Sequence, residues 1–400
     1  MSIIVIDSIM GSGKTTWARK ELLEKQLDRN FLYITPYLDE INKMTENNDY
    51  VKREMVQPKP TGKSKLDNIV DLLNYQMDIA STHELFRRFD DRCKEALKRN
   101  KYTLILDEAL SAVEPYQFSG KQDFEYLLNN HDIKVSDDGI ISWIGSELDT
   151  RFDDVRILAK NKCLFKVDEK FYLWHFPHEL FNQFENVYVL TYLFEGSLLK
   201  YYFDLYDIKY GKKSIARIDN NYQMIDYCKP DKAKIRERIN VYYGNLNNNI
   251  SEKDTAFSSS WCKSAYNKQK IQQLRNNFYN YAVNINKAKS SEIMWTTYKN
   301  TRKELRKKGY ANGFVACNCR GTNDYQERTC LMYGINWYVN PEIMKFFASR
   351  NISINQDKIA LSTLLQWIWR SNIRVSNSDK QVNIYIPSKR MRTLLTDWLG

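Results

Sequence analysis

The sequence predicts an α/β protein built on parallel sheets flanked by helices, and three observations carry that prediction. An apolar strand runs directly into a phosphate-binding turn near residue 10, short apolar runs then alternate with helical stretches, and one of those runs ends in an acidic pair. Such alternation places helices on both faces of a parallel sheet, with ligands at the carboxyl ends of its strands.

The first element is the strand Ser2-Ile-Ile-Val-Ile-Asp7, followed by Ser8-Ile-Met-Gly-Ser-Gly-Lys-Thr15. This fits the P-loop pattern of Gly, four residues, then Gly-Lys-Ser/Thr, except that Ser8 stands at the first Gly. Gly11 and Gly13 let backbone N–H groups close on phosphate oxygens, Lys14 reaches the β and γ phosphates, and Thr15 is placed for Mg²⁺. Helix formers from Thr16 to Lys25 add a helix N-terminus to the anion site.

Residues 30–36 form a second apolar run stopped by Pro36, with a helical stretch over 38–43 and an exposed loop over 48–65. A helix at 66–75, a short strand at 78–83 and a basic helix at 84–99 lead to Tyr102-Thr-Leu-Ile-Leu-Asp-Glu108. After a P-loop and two further β-α units, an acidic pair at a strand end has a chemical use. Asp107 holds the Mg²⁺ water shell, while Glu108 orients and deprotonates the attacking water.

Residues 111–186 read as an insertion without assignable chemistry; His175 and His178 flank Pro177 and read as ordinary packing residues. A strand at 187–192 follows. Residues 206–290 are basic and rich in Asn and Tyr, an accessory or linker segment. Alternation resumes with a strand at 293–298, a basic helix at 299–308 and a strand at 314–318. A helix over 360–374 places Gln366, Arg370 and Arg374 at four-residue steps on one polar stripe, suited to a triphosphate. A strand at 382–386 and a basic terminal helix close the chain.

Four hundred residues suggest at least two domains. No signal peptide and no apolar run near the ~20 residues of a membrane span is present, so no membrane association is expected. The seven cysteines include no CxxC pair, which points to a reducing cytoplasm. The net charge of +11 is uneven: residues 1–200 hold 27 Lys+Arg against 33 Asp+Glu, and residues 201–400 hold 33 against 16. The basic half fits a phosphate-backbone partner, the alternative being a solvated lysine-rich surface.

In this order the landmarks resemble superfamily 2 helicases of the DEAD/DEAH-like kind, with a likeness to helicases carried by phages of Gram-positive bacteria. Gly11, Ser12, Gly13, Lys14, Thr15 and Thr16 resemble motif I, Thr35-Pro36 motif Ia, Thr82-His83 motif Ib, and Asp107-Glu108-Ala-Leu110 motif II. Leu190-Thr191-Tyr192 resembles a variant motif III. Thr296-Thr297 falls at motif IV, Arg320 to Asn323 at motif V, and Gln366, Arg370 and Arg374 resemble motif VI with one extra residue of spacing. There is no adenine-reading Q motif.

The resemblance implies two RecA-like P-loop domains with inserted or accessory segments. These are residues 1–205 with an arm over about 111–186, and residues 291–400, joined by 206–290. It implies ATP and Mg²⁺ as cofactors in a cleft between the domains, and a nucleic acid, DNA before RNA, lying across both. Arg370 and Arg374 would supply the arginine finger and γ-phosphate sensing, Thr191 the coupling. Thr35, Pro36, Thr82, His83, Thr296, Thr297, Arg320, Thr322 and Asn323 would grip the strand. The expected function is an ATP-dependent DNA helicase or translocase in phage or mobile-element replication, within a bacterial host's cytoplasm. Its alternatives are a P-loop nucleoside or polynucleotide kinase, a packaging motor of the terminase type, and a non-unwinding ATPase switch.

Overall fold

Strands buried on both faces read as unbroken apolar runs, and that condition governs the chain from its first residues. The computed structural model describes residues 2–47, 49–60, 62, 64–147, 151–251, 253–317 and 324–400. Its contacts divide into two units, one of residues 1–8, 12–228 and 340–354, the other of residues 9–11, 229–339 and 355–400.

In the first unit β1 (Ser2–Asp7), β2 (Asn30–Thr35), β3 (Ile79–Thr82) and β4 (Tyr102–Asp107) come first. A separate sheet follows from β5 (Val113–Tyr116), β6 (Ile133–Val135), β7 (Ile140–Trp143), β8 (Leu164–Asp168) and β9 (Phe171–His175). The chain then returns through β10 (Asn186–Thr191), β11 (Gly211–Ile218) and β12 (Asn221–Asp226). The main sheet has the order β12-β11-β1-β10-β4-β2-β3, parallel except for the β11–β12 hairpin. All six residues of β4 are buried. The inserted sheet, ordered β5-β9-β8-β7-β6, is antiparallel throughout.

In the second unit β13 (Ile239–Val241), β14 (Ile293–Thr296), β15 (Cys330–Tyr333) and β16 (Val382–Tyr385) form a parallel sheet ordered β13-β16-β15-β14. The fold is therefore α/β with two parallel sheets. Among the described residues no helix is long and apolar enough to cross a membrane.

Several elements depart from the sequence reading. The 84–99 helix is two pieces, His83–Phe86 and Asp91–Asn100, because Asp90 caps the second by accepting from Cys93 N. The 299–308 helix shrinks to Arg302–Leu305, because the backbone turns extended at Arg306, with φ −61° and ψ 130°. Phe314 makes a single bridge to Trp295 in place of a strand. The basic segment 206–290 is divided, with β11 and β12 completing the first sheet and β13 the second. Helix Pro341–Ala348 belongs to the first unit, where Phe346 packs on Phe165 of β8 at 5.2 Å.

One buried amide organises the second core. Asn277, 2% exposed, donates to Leu246 O at 3.1 Å and Asn249 Oδ1 at 2.7 Å, and accepts from Gln273 Nε2 at 3.0 Å. Tyr385 of β16 donates to the same Leu246 carbonyl at 2.7 Å. Asn277→Ala strands several of these groups and is expected to cost about 2–4 kcal/mol, read as a lower midpoint in denaturant. A midpoint equal to wild type would show that water replaces the amide without loss.

Candidate nucleotide-binding site

The site is built where β1, β10 and β4 end side by side. β10 lies between the other two, pairing Asp7 with Thr191 and Asp107 with Leu190. Its last carbonyls fix both flanking loops: Ser8 N donates to Thr191 O at 3.1 Å, and Glu108 N donates to Leu190 O at 2.9 Å. Asp7 is structural, accepting from Leu193 N at 2.8 Å and Phe194 N at 3.2 Å to hold the turn after β10.

Ser8 explains its own departure from the P-loop pattern. Its Oγ accepts from Ile215 N at 2.8 Å, so the side chain extends the β1–β11 ladder by one bond that glycine could not make. Beyond it the turn needs its glycines. Gly11 has φ +80° and Gly13 φ +89°, and a Cβ on Gly13 would lie 2.1 Å from the Tyr222 ring of β12. Lys14 reaches back over the loop and donates from Nζ to Ser8 O at 2.5 Å. The following helix is α-wound over Lys14–Trp17 and π-wound over Ala18–Leu23, a form frequent at functional sites. Thr16 lies in its first turn, half-buried.

Thr15 Oγ1 donates to Asp107 Oδ2 at 3.1 Å, joining the loop to the end of β4. Tyr33 of β2 donates its hydroxyl to the same carboxylate oxygen. Burial pushes the Asp107 carboxyl up to about 7, with the charges of Glu108 and Glu40 adding to the shift and the two donated hydroxyls opposing it. Burial and Asp107 also raise Tyr33 well above the usual phenol range, so it stays a donor. Glu108 sits at φ +76°, an uncommon conformation for this residue type.

The arrangement suits a magnesium nucleotide on its own chemistry. It joins an ammonium, a hydroxyl and a carboxylate that gains from a nearby cation, and the buried Ser12 Oγ in the loop has no hydrogen-bond partner among the described residues. Lys14 and the loop amides would hold phosphates, and Thr15 and Asp107 would hold the metal.

The other sequence-predicted residues fall into two groups. Thr191 is buried at the end of β10, between the P-loop strand and Asp107. Thr35 and Thr82 pair in register at the ends of β2 and β3, with half-buried Pro36 and buried His83 next in chain. Thr82 Oγ1 caps the short helix that follows by accepting from Leu85 N, and Thr35 Oγ1 is buried without a partner among the described residues.

In the second unit Thr296 and Thr297 are buried and their hydroxyls also lack partners among the described residues. Arg320, Thr322 and Asn323 lie outside the described residues. The polar stripe of Gln366, Arg370 and Arg374 is not formed. The helix spans Gln356–Ile368 and stops where Ser371 Oγ donates to Ile368 O at 2.6 Å. Half-buried Gln366 stays on the helix, Arg370 is 6% exposed, and Arg374 is exposed in the turn Asn372–Arg374. The His175 ring nitrogens lie 2.8 and 2.7 Å from the carbonyls of Phe176 and Lys162, and the single N–H of the neutral ring, which burial favours, donates to one of them.

Sequence reasoning missed Tyr33 and Glu40. The available signal was a tyrosine, the one phenol in the buried apolar run Phe31-Leu-Tyr-Ile34, since a buried hydroxyl favours a partner. Glu40 accepts from the Tyr50 hydroxyl, and Arg19 of the P-loop helix stacks 4.0 Å from the Tyr50 ring.

Residues 233–399 match the family described as the YonV C-terminal Rossmann-like domain, and residues 113–174, the inserted antiparallel sheet, match the YonV middle domain. A relative from Bacillus subtilis (strain 168), the SPbeta prophage-derived uncharacterized protein YonV, is 39% identical over 413 aligned positions. That alignment covers 99% of this chain and 98% of the relative.

Ser8→Ala removes the acceptor for the Ile215 N–H and is expected to lower stability by about 1–3 kcal/mol in urea unfolding. Stability equal to wild type would mean that the ladder ends at β11 without this bond.

Proposed function

The chain belongs to the YonV family, and from that premise and the site at β1, β10 and β4 we propose that it is an ATP hydrolase coupled to nucleic acid. The reading is a DNA helicase or translocase serving phage or mobile-element replication, with both parallel sheets as RecA-like cores. The observation that carries it is the convergence of Thr15 and Tyr33 on Asp107 beside a P-loop lysine. The prophage origin of the Bacillus relative supports the setting, and the basic C-terminal half supports the partner.

In this reading the loop amides of 11–15 and the Lys14 ammonium bind the β and γ phosphates. Magnesium, when bound, supplies charge neutralisation on the phosphate oxygens. Thr15 and Asp107 hold it, and Tyr33 fixes the carboxylate orientation from behind. Glu108 orients water and takes its proton, its position set by the backbone bond to β10. Thr191, on the same strand end, links this acid to the P-loop. Arg370 and Arg374 of the second unit are the candidates for stabilising transition-state charge.

The test is ATP hydrolysis without polymer, with single-stranded DNA, with duplex DNA and with RNA, each at low and moderate salt. The reading expects stimulation by DNA that weakens as salt rises. Glu108→Gln and Lys14→Ala are expected to lose at least about 100-fold in kcat. Full activity in either would contradict the mechanism. Hydrolysis indifferent to every polymer would favour the kinase or switch reading. Tyr33→Phe is expected to keep much of kcat while raising the magnesium concentration needed for half-maximal rate, because only the orienting bond is lost; an unchanged magnesium requirement would remove Tyr33 from the site.

A further inference from the structure

Residues 229–339 carry 20 Lys+Arg against 8 Asp+Glu, and the structure exposes part of that excess on the surface around residues 299–308. Lys263 ends the helix Ser259–Lys263, Lys299 follows β14, Arg302 and Lys303 lie on the single turn Arg302–Leu305, and Arg306 and Lys308 come next; all six are exposed. Lys263 and Lys299 line the same hollow of about 190 Å³, with Ser259 and Tyr298, and Arg306 and Lys308 line another of about 490 Å³.

None of the six pairs with a carboxylate among the described residues. Elsewhere exposed cations are commonly matched, as in Lys25–Glu21 at 2.8 Å, Arg92–Asp67 at 2.7 Å and Lys160 with Glu147. Glu304, exposed on the same turn, is the one carboxylate within residues 299–308; the cations in excess of it repel, and the arrangement is relieved by an extended polyanion that bridges them. Three residues after Lys263, Tyr266 is 95% exposed. A ring held in water three residues from an exposed lysine is the feature that adds base stacking to phosphate contacts.

We propose that this face docks single-stranded DNA, its phosphates running along Lys263, Lys299, Arg302, Lys303, Arg306 and Lys308 and a base stacking on Tyr266. The proposal deepens the nucleic-acid-coupled reading and rests on it for the choice of polymer. It uses none of the motif residues. Nor does it depend on the nucleotide site.

The experiment is fluorescence anisotropy of a labelled oligo-dT with the full chain across a salt series, alongside ATP hydrolysis without DNA. Reversing Lys299, Arg302, Arg306 and Lys308 to Glu is expected to weaken binding at least about tenfold and to flatten the salt dependence. The four Gln variants should weaken it less, and Tyr266→Ala about five-fold or more. Reversing Lys121, Lys134 and Lys170, exposed cations of the inserted sheet's region, should leave it unchanged, as should RNA-free and DNA-free hydrolysis in every variant. Wild-type DNA affinity in both the Glu and Gln sets overturns the proposal, as does their loss of binding to phosphatidylserine vesicles with DNA binding intact. Absence of ATP hydrolysis in wild type overturns the enzyme reading, while the anisotropy still decides this one.

Discussion

The carboxylate of Asp107 constrains everything around it. A buried carboxyl costs several kcal/mol to ionise without partners, so the chain must bring donors to it from distant segments. Thr15 arrives from the P-loop helix and Tyr33 from β2, and both donate to one oxygen. Satisfying that group fixes the order of the strand ends and the seat of the P-loop helix on them. Burial favours the protonated carboxyl, and the two donated hydroxyls oppose that shift.

β10 is the mechanical counterpart of this electrostatic centre. By lying between β1 and β4 it bonds the entry to the P-loop through Thr191 and the entry to Glu108 through Leu190. Both loops are thus anchored by backbone bonds to a single buried strand. The positive φ of Glu108 and the π-wound segment behind Lys14 show where the chain departs from regular geometry to serve this junction. The Ser8 side chain belongs to the same economy, substituting a ladder bond to β11 for the usual glycine.

The P-loop, the acidic pair and the alternation of strands and helices were legible because each is local: periodicity, glycines and strand ends lie within a few residues of one another. What was hidden depends on long-range partners. Tyr33 meets Asp107 across 74 residues, and β13 is three residues long and finds its neighbour near residue 383. Propensity favoured a helix over 299–308, but Tyr310 must enter the core, where its hydroxyl donates to Leu305 O and its carbonyl accepts from Trp295 Nε1 at 2.9 Å. The four-residue spacing of Gln366, Arg370 and Arg374 was a true pattern in the sequence, yet one serine hydroxyl at 371 ends the helix before the pattern can become a stripe.

The central claim is that the P-loop and Asp107 form one magnesium-nucleotide site, and titration calorimetry of ADP with and without Mg²⁺ tests it most directly. The account predicts a Kd on the order of micromolar with magnesium, weakening about tenfold or more when the metal is chelated and again in Asp107→Asn. No binding at millimolar ADP with magnesium present, or equal affinity with and without the metal, would contradict it.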